Sequence, residues 1–116
     1  MADITIYHNP RCSKSRQTLE LLQENTISPE IILYLETPPS KSEIKSLLNK
    51  LGITARELLR SSEDAYKEGN LADTSLTEEQ LIDVMLANPK LIERPIVVAG
   101  VNAVIGRPPE NVLALI

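Results

Sequence analysis

Phenylalanine and tryptophan are absent from the 116 residues, tyrosine occurs three times and cysteine once. Each scarcity excludes something. A lone cysteine, Cys12, forms no intramolecular disulfide, so a disulfide-stapled secreted scaffold is ruled out and a reducing, cytoplasmic setting is expected. With only tyrosine as an aromatic there is no base-stacking platform. Positive charge is also short: Lys and Arg number 12 against 16 Asp and Glu, a formal net charge of −4. That balance argues against nucleic-acid binding, which rests on neutralising phosphates. The longest apolar runs, such as residues 95–99, are far too short to cross a membrane, so no membrane partner is expected. Met1-Ala2-Asp3 shows no basic region ahead of an apolar stretch, and no signal peptide is expected. No metal, flavin or nucleotide motif is present, which implies no bound cofactor and no metal. What is there, 42% apolar residues over this length, suits one compact domain across 1–116.

Alternation over residues 3–7 predicts a strand, which His8-Asn9-Pro10 breaks. Residues 13–25 lack Gly and Pro, and Ser15, Thr18, Leu19 and Leu22 recur at helical spacing. Residues 30–35 read as a second strand, stopped by Thr37-Pro38-Pro39. A β-α-β start predicts a right-handed crossover and a parallel strand pair. Ser40 with Glu43 forms a capping box for a helix through Leu51, with Gly52 as its stop. A short helical stretch follows around 54–60. Thr77 with Gln80 repeats the box for a helix reaching about Asn88, where Pro89 halts it. Residues 96–98 and 103–105, joined through Gly100 and Asn102, read as an antiparallel hairpin. Pro108-Pro109 then opens a last helix. The fold class is therefore α/β with a mixed four-stranded sheet. A β-α-β / β-β-α core resembling thioredoxin is interrupted by a helical insertion at about 40–90. In such a core the loop carrying Cys12 lies beside the loop carrying Arg94-Pro95, and two distant segments converging on one spot suggest a site.

Cys12 stands where a strand-to-helix loop enters a helix. Helix N-terminal N–H groups and the macrodipole favour an anion there, lowering a thiol pKa and enriching the nucleophilic thiolate. Arg11, Lys14 and Arg16 add positive charge, whereas an inert buried cysteine would have apolar neighbours. His8, four residues upstream, either supports the thiolate or ties down the loop. Arg60, Arg94 and Arg107 each border an element end or a structural breaker. Guanidinium groups bind tetrahedral oxyanions bidentately, so several together would form an anion cage. Taken singly, each reads better as a surface cation. Pro95 is a candidate for a cis peptide bond, since the third strand of a thioredoxin-like core usually begins with one. Asp64, Glu68 and Asp73 read as a solvated face.

The opening Ile4-Thr5-Ile6-Tyr7-His8-Asn9-Pro10, with Cys12 and Ser15-Arg16, resembles that of the glutaredoxin-dependent arsenate reductases. Further blocks in the same order are Tyr34-Leu35-Glu36-Thr37-Pro38-Pro39, Leu58-Leu59-Arg60, residues 91–98 and Arg107-Pro108-Pro109-Glu110. The resemblance implies a thioredoxin-like fold and Cys12 as the nucleophile that attacks arsenate. It also implies that His8 assists the cysteine and that Arg60, Arg94 and Arg107 surround the oxyanion. Arg11 and Ser13-Lys14 depart from the smaller Ala and Gly-Thr of the best-known resistance enzymes. Because Thr18 stands where a phosphatase-like Cys-x5-Arg loop would carry its arginine, and no second thiol exists, external thiols must reduce the arsenic. The resemblance implies glutathione as co-substrate and glutaredoxin as partner. Two other readings share the fold. A general glutathione-linked thiol oxidoreductase would need Cys12 but not all three arginines. An Spx-like regulator, which contacts RNA polymerase, commonly carries Cys-x-x-Cys, whereas position 15 here is Ser.

Overall fold

The computed structural model describes residues 4–61 and 63–116, and Asp3, expected to open the first strand, lies outside them. The chain divides into two compact units, one of Met1–Thr37 with Arg94–Ile116 and one of Pro38–Glu93.

The first unit is built on strands β1 (Ile4–Tyr7), β2 (Glu30–Ile32), β3 (Ile96–Ala99) and β4 (Asn102–Ile105), with helix α1 (Ser13–Glu24) between the first two. They form one sheet in the order β2-β1-β3-β4. β1 runs parallel to β2 and antiparallel to β3, with Ile6 opposite both Ile31 and Val97. The expected parallel pair and antiparallel hairpin are both present. All four residues of β3 are buried, which is why the stretch reads as continuous apolar sequence rather than alternation. Ile6, Leu22, Val97 and Val112 are fully buried together, with Leu19, Ile27, Val104 and Leu115 packed against them. The β3–β4 hairpin turns on residues 100–101. Gly100 has φ 63°, and Val101 is not among the positive-φ residues. A positive φ at the first loop position alone is the type II′ pattern, which glycine adopts without steric cost.

Two sequence expectations need correction here. The second strand ends at Ile32 rather than Leu35, because the Leu33 carbonyl accepts from both Glu36 and Thr37 N–H, each at 2.9 Å, and turns the chain. The last helix is a 3-10 helix, Pro109–Leu115, rather than an α-helix. Its first bond runs from Asn111 N–H to Pro108 O at 3.0 Å, an i to i−3 closure that winds the segment tighter.

The second unit is helical: α2 (Lys41–Leu51), α3 (Ala55–Leu58), α4 (Asp64–Glu68), α5 (Glu78–Ala87) and a 3-10 turn Pro89–Leu91. Ser40 with Glu43 and Thr77 with Gln80 form the expected capping boxes, and Thr54 with Glu57 forms a third. Gly52 ends α2 in the left-handed conformation at φ 70°. Glu78 reaches the Ala55 N–H at 2.9 Å, so the first turn of α5 also caps α3. After α3 the chain is tied to the unit's last residues: Arg60 N–H donates to Leu91 O at 2.7 Å and Glu93 N–H to Leu58 O at 2.9 Å. Leu58 and Leu91 are fully buried there. Asp64, Glu68 and Asp73 are exposed, as read from the sequence, although α4 itself was not anticipated. Among the described residues, no helix is long and apolar enough to cross a membrane.

Candidate active site

Cys12 is the N-cap of α1, with extended backbone at φ −92°, and its side chain is half-buried. The loop that delivers it closes on itself, with Cys12 N–H donating to Asn9 O and Arg11 N–H to Asn9 Oδ1, both at 3.0 Å. Burial pushes the Cys12 thiol pKa up. The N–H of Ser15, a hydrogen bond from Arg94, the N–H of Lys14 and the Arg107 charge outweigh it and hold the pKa below the ordinary thiol value. Ser15 and Lys14 are the third and second residues of the helix, so the sulfur occupies the place where a capping oxygen usually sits. The helix start that offers N–H groups to a capping oxygen here offers them to the sulfur, which favours its thiolate form.

Arg107 follows β4 and points back at that sulfur. Its Nη2 lies 3.3 Å from Cys12 Sγ, and its Nε donates to the backbone carbonyl of Arg94 at 2.7 Å. One guanidinium therefore bridges the nucleophile and the segment before β3. The Arg94-Pro95 bond is cis, as the sequence suggested, and so is Arg107-Pro108, which it did not. Gly106 lets these segments meet. A Cβ there would stand 2.6 Å from Thr18 Oγ1 and 2.9 Å from Pro95 Cγ. Thr18 Oγ1 lies 2.8 Å from Lys14 O and 3.3 Å from Gly106 O, joining α1 to the end of β4. Position 18, empty of the phosphatase arginine, thus carries a structural hydroxyl.

His8 reaches the nucleophile's helix through Ser15. Its Nδ1 is 2.6 Å from Ser15 Oγ, and that oxygen also accepts the Asn9 N–H at 3.0 Å. Burial, then the Arg16 charge, lowers the His8 pKa, so the ring is neutral at neutral pH. With Asn9 N–H donating to the hydroxyl oxygen, the Ser15 proton is available to a neutral Nδ1; the tautomer with hydrogen on Nε2 fits. His8 therefore acts as a neutral acceptor that positions Ser15. His8, Asn9, Ser15 and Thr18 are the buried polar side chains among the described residues. Apart from its histidine this cluster was missed from sequence. The helical spacing, the motif resemblance and the missing arginine at position 18 do not by themselves predict that Ser15 and Thr18 are buried polar groups. The available signal is two hydroxyls, three and six residues after the N-cap cysteine, on a face shared with leucines.

The structure brings His8, Cys12, Arg94 and Arg107 together in the first unit. Arg60 belongs to the second. There its Nε lies 3.2 Å from Glu63 Oε1 and its Nη1 3.2 Å from Glu93 Oε1, on side chains about three-quarters buried.

Comparisons with known proteins identify the scaffold. The ArsC family matches residues 7–115. An uncharacterized protein of Escherichia coli K12, YfgD, is 61% identical, covering 97% of this chain and 96% of its own. An arsenate reductase of Escherichia coli is 49% identical, covering 100% of this chain and 82% of its own. The solved structure of an arsenate reductase from Vibrio cholerae superposes with a TM-score of 0.96 at 50% identity, covering 99% and 98% of the two chains. The mixed sheet with its helical unit is thus the scaffold of a known group, and the chain belongs to the ArsC family.

Proposed function

We propose that the protein is an arsenate reductase working in the cytoplasm, with Cys12 as the nucleophile. The observation that carries this reading is the Cys12 sulfur, favoured as thiolate, with Arg107 Nη2 at 3.3 Å. The thiolate attacks arsenate and displaces one oxygen as hydroxide or water, giving an S–As(V) bond. Arg94 and Arg107, with Arg60 as the third cation, bind the remaining oxygens. No second cysteine exists in the chain, so the two electrons must come from outside. Glutathione adds to the arsenic, displacing a second oxygen as water. A glutaredoxin thiolate then attacks the glutathione sulfur. As the S–S bond forms, the glutathione S–As bond breaks and leaves its electron pair on arsenic, which becomes As(III); water then hydrolyses the Cys12 S–As bond, freeing arsenite and the Cys12 thiol.

The test is a coupled assay with arsenate, glutathione, glutaredoxin, glutathione reductase and NADPH. Wild type should oxidise one NADPH per arsenite formed. Cys12→Ser should fold normally and show no turnover, because a hydroxyl is far harder to ionise than a thiol. Near-wild-type turnover by that variant would remove the nucleophile assignment. The general thiol-oxidoreductase alternative needs Cys12 but not all three arginines, so it predicts thiol turnover that persists in Arg60→Lys. A regulator with a Cys-x-x-Cys switch is disfavoured, since position 15 is a buried serine already held by His8 and Asn9.

A further inference from the structure

The first unit contains a second feature beside the nucleophile that the oxyanion chemistry does not use. A pocket of about 280 Å³ is walled by residues 8–11 on one side and by Leu33, Leu35 and Glu36 on the other. We propose that this pocket is the seat of the small peptide thiol that resolves Cys12, a zwitterionic ligand of the glutathione class. The inference rests on the arsenate reductase reading for its purpose, though not for its geometry.

Topology gives the first argument. In the sheet order β2-β1-β3-β4, the turn after β2 and the segment before β3 lie on opposite sides of β1. Arg94 precedes β3 and Arg107 follows β4, so the cations touching Cys12 come from the β3 side. The pocket lies on the β2 side, and one of its walls is the run of residues leading directly to Cys12. A thiol held there approaches the arsenic from the side opposite Arg94 and Arg107. The turn that ended β2 early now has a use, because folding back after Ile32 is what brings Leu33, Leu35 and Glu36 against the Cys12 loop.

Chemistry gives the second. Pro10 and Leu35 supply exposed apolar surface, Leu35 being 37% accessible, and their neighbours are the cation of Arg11 and the carboxylate of Glu36. Both charged side chains are exposed, and no ion pair is made by either among the described residues. A γ-glutamyl tripeptide thiol presents carboxylates for Arg11, one ammonium group for Glu36 and methylene chain for the leucines. The volume sits at the small end of ligand pockets, roughly 300 Å³ and upward, and suits a tripeptide fragment better than a nucleotide. The step served is balanced without redox: the peptide thiol forms an S–As bond on the Cys12 adduct, and a hydroxyl on arsenic leaves as water with the thiol proton.

S-Methylglutathione, which cannot react, is the probe. Titrated into the full-length protein and followed by amide NMR, it should shift the signals of Arg11, Leu33, Leu35 and Glu36. Arg11→Ala and Glu36→Gln should each weaken its binding roughly threefold to fivefold, the scale of one exposed ion pair. Glu36→Gln should not weaken binding of the N-acetylated probe, which lacks the ammonium group. In the coupled assay, both variants should raise KM for glutathione by the same factor and leave KM for glutaredoxin unmoved. Unaltered thermal midpoints will confirm that the variants fold. Shifts confined to other residues, or variants that bind the probe like wild type, overturn the pocket even if arsenate is reduced. Probe binding that follows these charges, in a protein that does not turn over arsenate, keeps the pocket and sinks the arsenate reading instead.

Discussion

Cys12 shows how far a few neighbours can move one thiol. Half-burial by itself would raise its pKa, and the Ser15 and Lys14 N–H groups with Arg94 and Arg107 reverse the sign. Alkylation by iodoacetamide, which needs the thiolate and no cage, should therefore titrate below a free-cysteine profile. Arg107→Ala should move the midpoint up, because a hydrogen-bond donor 3.3 Å from the sulfur is lost with its charge. A profile that matches free cysteine in wild type would refute the activated thiolate. His8 makes a different pH prediction. Its pKa is depressed in the folded protein, so below the ordinary value of about 6.5 the unfolded chain binds the extra proton and the fold does not. Stability contributed by neutral His8 is complete above that pH and is lost as pH falls towards the depressed folded value. Urea midpoints from pH 7 to 5 should fall for wild type and fall less for His8→Asn. Parallel slopes would show that the ring titrates normally.

Elements decide whether those residues meet. At the close approach of α1 and the end of β4, Gly106 leaves no space for a side chain. Gly106→Ala places a methyl 2.6 Å from Thr18 Oγ1, and both that hydroxyl and Pro95 are buried parts of the sheet–helix seam. Overpacking of this kind typically costs about 1–3 kcal/mol. The variant should lower the urea midpoint accordingly and also raise the alkylation midpoint of Cys12, because Arg107 is the next residue. Destabilisation with an unchanged Cys12 profile would separate Gly106 from the site. Most elements were legible because their signals are local. The capping boxes at Ser40 and Thr77, the alternation before Tyr7 and the glycine-centred hairpin each lie within a few residues of sequence. The third box, Thr54 with Glu57, carries the same local signal and was overlooked beneath a short helix. What was not legible was set by packing at a distance. The second strand reads as long because Leu33, Tyr34 and Leu35 continue the apolar run, yet the Leu33 carbonyl is spent on a turn, accepting from the Glu36 and Thr37 N–H groups. The contact of Thr18 with Gly106 spans 88 positions and leaves no pattern in either segment.

At the scale of the whole molecule, the chemistry depends on cations supplied from widely separated stretches of chain. Arg94 and Arg107 were recoverable from sequence only through resemblance, since a lone arginine beside a proline is ordinary. Their geometry now stands on hydrogen bonds from both to Cys12 and on the bond from Arg107 Nε to the Arg94 carbonyl. Arg60 is the third arginine proposed for the oxyanion, and its partners within the second unit are carboxylates. Glu63 and Glu93 each lie 3.2 Å from its guanidinium, holding it extended and partly buried. Deleting the side chain would leave those carboxylates facing one another, so Arg60→Ala would confuse stability with catalysis. Arg60→Lys keeps the charge that neutralises them but loses the planar fork that grips two oxygens of a tetrahedral anion. If Arg60 stabilises the transition state, kcat/KM for arsenate should fall by up to about 2.7–4 kcal/mol, the cost of losing one oxyanion donor elsewhere. That corresponds to at most roughly 100- to 1000-fold in rate. The thermal midpoint should move little, and iodoacetamide should alkylate Cys12 within about twofold of wild type, since that reagent is neutral and needs no cage. Full arsenate turnover by the lysine variant would return Arg60 to the helical unit as a structural cation, its fork matched to Glu63 and Glu93 alone.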